Sequence, residues 1–151
     1  MKQVIRLGVV VAVAVVGLSG IARASDGQYE CSLRTLRGTY VFAATGHIIA
    51  AGVAQPKAIV EVIEFHGDGT LSVPAATRSL NGVVARSLPG GTGGYTVDAE
   101  CSGTITFDGG PSFDTFFSPG GKVLWMIQTN PNNVFQGTAT RLSHRRSSER
   151  D

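Results

Sequence analysis

Short runs of Val, Ile, Thr, Phe and Tyr recur along this chain between clusters of Gly, Asn, Asp and Pro, and they constrain its fold more than any other feature. β-branched and aromatic residues favour strands, whereas Gly, Asn, Asp and Pro favour the turns that separate them. Helical periodicity is nearly absent beyond the first 24 residues. The pattern predicts an all-β domain of eight or nine strands, at residues 38–49, 58–66, 70–78, 83–88, 94–99, 102–107, 112–118, 122–129 and 134–142.

The connections between these runs are short, and Asn81-Gly82 is typical of a two-residue hairpin turn. Successive strands should therefore pair antiparallel as a meander. An open meander exposes two edges, and closure into a barrel removes them. We predict a small closed barrel of eight or nine strands, which is just wide enough to be filled by side chains or to hold one small ligand. A β-sandwich is the alternative fold.

The first 24 residues have the composition of a secretion signal. Lys2 and Arg6 precede an apolar stretch at 7–18, and an Ala-x-Ala cleavage site follows at 22–24. The apolar stretch has 12 residues, against the roughly 20 that a membrane-spanning helix needs. The pattern predicts a signal peptide that is removed after Ala24, a secreted or periplasmic protein, and no permanent membrane anchor.

The predicted organisation is a signal peptide at 1–24, a β-barrel domain at 25–142 and a polar, disordered tail at 143–151. The tail contains no apolar residue, which is typical of a frayed end. Removal of the signal peptide takes away three of the 13 basic side chains and none of the 11 acidic ones, so the net charge falls from +2 to −1. A mature chain of that charge is not expected to bind nucleic acid.

The chain has two cysteines, Cys31 and Cys101. An exported protein meets oxidising conditions, so we expect these two thiols to form a disulfide. The bond would close a loop of 71 residues and stabilise the fold by roughly 4 kcal/mol in the chain-entropy model. A catalytic or metal-bound thiolate is the alternative, but the spacing supplies neither a neighbouring base nor further ligands.

Familiar motifs of catalysis and cofactor binding are missing from the sequence. The run GGTGG at 90–94 lacks the Lys-Ser/Thr ending of a phosphate-binding loop and precedes no predicted helix, so it is interpreted as a hairpin loop. No Cys-x-x-Cys, His-Glu-x-x-His or EF-hand pattern occurs, and the mature chain has no Gly-x-Ser-x-Gly. The sequence therefore predicts no metal site and no cofactor.

The predicted strand at 58–66 carries the sharpest candidate for a catalytic group. Glu61 is in phase with Ile59 and Ile63, which places a carboxylate among inward-facing apolar residues. Such burial should raise its pKa, and groups with a shifted pKa concentrate at functional sites. The alternative is that a bulge or a late start of the strand leaves Glu61 in water at the end of the barrel.

The predicted strand at 122–129 contains the only tryptophan, and both of its faces are apolar. We predict that Val123, Trp125 and Ile127 face inward, where aromatic residues of the preceding strand would pack against the indole. An ordinary core is the alternative to a specific aromatic site. The residues predicted to line the interior and contact a ligand are Tyr40, Phe42, Phe113, Phe117, Trp125 and Ile127.

Four blocks of the chain carry a family resemblance: CSLRTLRGTY at 31–40, FHGDGTL at 65–71, GYTVDAECSGTITF at 94–107, and IQT at 127–129 followed by GTA at 137–139. Together they resemble small exported bacterial β-barrel proteins of the calycin or allene-oxide-cyclase-like type, most of them uncharacterised. The resemblance implies a barrel, an extracytoplasmic compartment, and a bridge from Cys31, at the entry of the first strand, to Cys101 in a later hairpin. It implies no particular activity.

Three functions follow as hypotheses. The leading one is non-catalytic binding of a small apolar ligand, or of a surface component, by the exported barrel. The second is a cyclase or isomerase acting on an apolar substrate inside the barrel, with Glu61 as acid/base and Tyr40 as hydrogen-bond donor. The third is a filled structural barrel that acts through its surface. The sequence favours binding over catalysis.

Overall fold

The computed structural model describes residues 30–87 and 91–142. The predicted signal peptide and the predicted polar tail lie outside these residues. Within them the chain forms one short 3₁₀ helix and nine strands. The helix is Leu33–Leu36, and the strands are β1 (Gly38–Ala50), β2 (Val53–Phe65), β3 (Thr70–Leu80), β4 (Val83–Ser87), β5 (Gly91–Tyr95), β6 (Ser102–Phe107), β7 (Ser112–Phe117), β8 (Val123–Gln128) and β9 (Asn133–Arg141).

The strands form a closed antiparallel barrel, as predicted, and not a sandwich. Their hydrogen-bonded order is β2-β1-β9-β8-β7-β6-β5-β3-β4, and a further pairing of β2 with β3 closes the sheet. Eight strands complete the ring, and β4, which pairs with β3, is the extra strand outside it in the described part. Closure leaves no unpaired edge along most of the ring, so the fold is protected against edge-to-edge association.

The glycine-rich run was predicted to be a hairpin loop, and this prediction is wrong from Gly91 onward. That part of the run is β5, which pairs with the first half of β3, while β4 pairs with the second half along the same edge. A Cβ on Gly93 would lie 2.3 Å from the carbonyl oxygen of Thr106 on β6. These glycines therefore allow β5 to approach β6 closely, a role that turn preferences in the sequence do not reveal.

The second strand begins at Val53, five residues before its predicted start, and it contains Pro56. Pro56 pairs with His47 of β1, and its carbonyl oxygen accepts a hydrogen bond from the N–H of Asn81 at 2.8 Å. A residue's N and O point to the same side of a strand, so the missing N–H of this proline faces away from β1. The ladder between β1 and β2 therefore loses nothing.

One end of the barrel is closed by the 3₁₀ helix, whose Leu36 is fully buried. The hydroxyl of Tyr40 donates to the carbonyl oxygen of Gly121 at 2.5 Å and accepts from Nε of Arg141 at 2.8 Å. The Arg141 guanidinium also donates to the carbonyl oxygen of Thr35 within the helix. These contacts fix the helix across what we call the closed end.

The disulfide between Cys31 and Cys101 is formed, with 5.1 Å between the two Cα atoms. It joins the segment before the 3₁₀ helix to the turn between β5 and β6, and the N–H of Cys31 also donates to the carbonyl oxygen of Ala99 at 3.1 Å. The bond indicates an oxidising, extracytoplasmic environment. Among residues 30–87 and 91–142, no helix is both long and apolar enough to cross a membrane.

Candidate functional site

The end of the barrel opposite the 3₁₀ helix, which we call the open end, contains a pocket of about 430 Å³. That volume lies within the range of small-molecule sites. The pocket reaches from the interior to the gap between β4 and the hairpin of β6 and β7. Its main apolar lining consists of Phe42, Ile59, Val73, Phe107, Phe113 and Phe135, and its charged lining consists of Lys57, Glu61, Arg78 and Arg86.

Four phenylalanines form the apolar wall of this pocket around the ring of Phe113. Its centroid lies 5.8 Å from that of Phe42 and 6.0 Å from that of Phe107, in edge-to-face geometry, and 6.5 Å from that of Phe135. Edge-to-face pairs stabilise by about 0.5–1.5 kcal/mol beyond the area they bury. The wall is therefore a fixed surface, against which an apolar ligand can pack.

Glu61 faces the pocket, as its phase with the apolar residues of the strand predicted. Glu61 is 9% exposed. Burial raises the pKa of its carboxyl group to about 7, although the Lys57 ammonium partly opposes this shift. The alternative, a bulge that displaces Glu61, is not what the register shows. The irregularity in the pairing of β2 with β3 falls later, between Val62 and Glu64.

Among the described residues, no group donates a hydrogen bond to the Glu61 carboxylate. Uncompensated burial of this kind is costly for the charged form and is the physical cause of the raised pKa. Glu61 is therefore a polar group in an apolar pocket with unused hydrogen-bonding capacity.

Lys57 lies on the same face of β2, four residues before Glu61. Its Nζ donates to Oε1 of Gln128 at 3.0 Å and lies 4.1 Å above the ring centroid of Phe135. Burial lowers the pKa of Lys57, and the charge of Arg78 lowers it further, while the charge of Glu61 raises it. The ammonium is thus held in place between an amide and an aromatic face at the edge of the pocket.

Phe42 and Phe113, both predicted to contact a ligand, line the pocket. Tyr40 and Phe117 are also buried in the barrel, but they do not line it. Because the hydroxyl of Tyr40 is bound at the closed end, the structure does not bring it together with Glu61. The predicted pairing of these two groups as donor and acid/base is therefore not present.

The predicted inward register of β8 is wrong. Trp125 and Ile127 are about half exposed on the outer surface, at 53% and 50%, whereas Leu124 and Met126 are buried inside. Hydropathy could not decide the register, because both faces of this strand are apolar. Pairing decides it: Trp125 stands opposite Phe116 of β7, and both side chains share the outer face.

A shallow apolar depression of about 520 Å³ lies on the outer wall, beside Trp125. Exposed Phe116 and Ile127 border it on one side and Val60 on the other, and Ala43 and Gly137 contribute to its lining between them. Trp125 and Ile127 were predicted to form part of an interior ligand-binding wall. They belong to the outer surface instead.

The pocket residues that sequence reasoning missed include Lys57, Arg78, Phe107 and Phe135. Lys57 was missed because β2 was predicted to begin one residue after it, although the spacing from Glu61 would have placed both side chains on one face. Phe135 alternates with exposed Val134 and Gln136, a signal that the sequence does contain. No cluster of residues suited to a metal ion occurs in the part of the chain that the structure describes.

No model of a known protein family matches this chain, and no curated protein or solved structure matches it either. The class that the fold and site define is a small closed barrel of eight antiparallel strands with one extra strand outside. One of its ends is sealed, and the other opens into a pocket that combines aromatic rings with charged side chains.

Proposed function

We propose that this protein binds a small, mainly apolar molecule in the pocket at the open end and does not transform it. The observation that carries the proposal is the pocket itself, with about 430 Å³ of space against the wall of four phenylalanines. This space beside the aromatic wall supports binding over a filled structural barrel. Burial of an apolar ligand there would contribute roughly 25 cal/mol per Å² of apolar surface removed from water.

The proposal includes export. A signal peptide removed after Ala24 would deliver the chain to the periplasm or the medium, in keeping with the disulfide. The barrel type implied by the resemblance, calycin or allene-oxide-cyclase-like, is also part of the proposal. Barrels of eight strands are wide enough for one small ligand, which supports a binding role.

Isomerisation is the second candidate function, and Glu61 favours it. A carboxyl group with a pKa near 7 can both take up and release a proton at neutral pH. Such an enzyme would have to use Glu61 without Tyr40, since the Tyr40 hydroxyl is engaged at the closed end. Lys57, on the same face of β2, has its ammonium held by Gln128 and over the ring of Phe135, so binding is the better supported function.

The test uses the neutral fluorescent probe N-phenyl-1-naphthylamine and a variant that fills the pocket. Ala85 of β4 lines the pocket and is exposed, so Ala85→Trp should obstruct it without disturbing the core. Val84→Trp is the matched control, because Val84 is 53% exposed, does not line the pocket and lies on the opposite face of β4.

We expect saturable probe fluorescence with the wild-type chain and with Val84→Trp, and a loss of affinity of about tenfold or more with Ala85→Trp. The proposal is abandoned if the wild-type chain shows no saturable binding, or if both tryptophan variants bind the probe as the wild type does.

A further inference from the structure

Two cationic residues of the pocket, Lys57 and Arg78, lie on neighbouring strands at the open end of the barrel. Arg78 of β3 stands opposite Ile59 of β2, so its side chain shares the face on which Lys57 and Glu61 project. Within the described residues, neither cation has a carboxylate in ion-pair contact. Two like charges on neighbouring strands are an unfavourable arrangement unless negative charge balances them.

The remaining charge in this region does not balance the two cations. Glu61 is the acidic residue of the pocket lining, and at neutral pH burial keeps its carboxyl group partly protonated. Burial and, after it, the charge of Arg78 lower the pKa of Lys57. Arg86 adds a third cationic residue to the lining. The pocket at the open end is therefore electropositive.

This charge adjoins the aromatic wall directly. Nζ of Lys57 lies 4.1 Å above the ring of Phe135, which itself lies 6.5 Å from Phe113 at the centre of the wall. An elongated molecule with one charged end would place that end at Lys57 and Arg78 while its apolar part lies against the rings. The two halves of the pocket thus suit the two halves of an amphiphile.

We infer that the ligand is an anionic amphiphile, whose acidic head group is bound by Lys57 and Arg78 while its apolar chain lies against the four phenylalanines. This inference rests on the proposed binding function. A positively charged amphiphile of the same size is disfavoured by repulsion from the same two side chains. A neutral one gains the apolar contacts but leaves the cations uncompensated.

Decanoate and decanol test this inference, because they have the same chain and differ in head-group charge. Each displaces N-phenyl-1-naphthylamine from the wild-type chain, from Arg78→Met and from Lys57→Met, near neutral pH. Lys122→Met is the matched control, since Lys122 is an exposed cation beside the closed end that does not line the pocket.

We expect the wild type and Lys122→Met to bind decanoate about tenfold or more tightly than decanol, with a preference that declines as salt is added. Arg78→Met and Lys57→Met should each reduce that preference. Arg78 is exposed, so Arg78→Met should fold. The inference therefore stays testable even if Lys57→Met disturbs Gln128 and destabilises the protein.

Equal affinity for decanoate and decanol in the wild type, or an unchanged preference in Arg78→Met, would overturn the inference while leaving the binding function intact. Failure of the probe and of both compounds to bind the wild type would instead remove the binding function together with the inference.

Discussion

Ionisation of Glu61 couples the stability of this protein to pH. Its carboxyl pKa rises from 4.5 to about 7 on folding because burial disfavours the charged form. The folded state therefore binds more protons than the unfolded state between these two values. Ionisation of Glu61 therefore lowers the free energy of unfolding as pH rises from below 4.5 through about 7. Above that range the reduction stays constant.

We predict that Glu61→Gln removes this pH dependence and makes the protein more stable than the wild type above neutral pH. The difference should reach up to about 3 kcal/mol, since one pKa unit corresponds to about 1.4 kcal/mol. Urea unfolding of both proteins at acidic and alkaline pH measures it. Glu64→Gln, an exposed change on the opposite face of β2, should follow the wild type. Parallel pH profiles for Glu61→Gln and the wild type would contradict the prediction.

At the same scale, Glu61 and Trp125 show what single residues in a sequence can and cannot tell. Glu61 was placed correctly because one charge in an otherwise apolar face marks the direction of that face. Trp125 was misplaced because its strand has no such marker: the residues on both sides of it, Leu124 and Met126, are apolar too. Only pairing with β7 and β9 sets that register.

The strands themselves were predictable where local chemistry marks both ends. β6 has the predicted bounds, Ser102 to Phe107, because polar and turn residues precede and follow it. β5 was misplaced because its glycines have no local strand preference, and the need for them arises from β6. The pocket could not be assembled from sequence for the same reason, since its lining combines residues from eight strands.

The approach of β5 to β6 leads to a prediction about two neighbouring glycines. A Cβ at Gly93 would lie 2.3 Å from the Thr106 carbonyl oxygen, whereas one at Gly94 would meet an oxygen of Gly69 at an ordinary 3.5 Å. Gly93→Ala should therefore separate the two strands and destabilise the fold by about 1–3 kcal/mol or more. Gly94→Ala should change stability by less than about 1 kcal/mol. Thermal unfolding compares them, and equal losses would show that this close approach is not required.

At the scale of the whole molecule, the disulfide links the segment before the 3₁₀ helix at the closed end to the turn between β5 and β6. We predict that the oxidised protein exposes no alkylatable thiol before reduction, since both cysteines are bonded. Replacement of Cys31 and Cys101 together by Ser should lower the free energy of unfolding by roughly 4 kcal/mol, because a long loop is released in the unfolded chain. Intact-mass analysis after alkylation and denaturant unfolding provide the two measurements.

A matched control keeps both cysteines and carries Ser at two exposed alanines, Ala51→Ser and Ala54→Ser, at the tip of the first hairpin. These changes should leave the unfolding midpoint nearly unaltered. If the cysteine-free protein unfolds at the same denaturant concentration as this control, loop closure contributes nothing to the fold.

In the described part of the chain, β1 pairs with β9, the strand farthest from it in the sequence, with Tyr40 opposite Arg141. A ribosome delivers β1 early, yet its second neighbour arrives only after nearly the entire domain has been synthesised. Until then one edge of β1 is available to any other extended chain nearby. A nascent chain of this protein therefore exposes that edge until β9 has been synthesised, and β1 can pair fully with β9 only after residue 141 has been added.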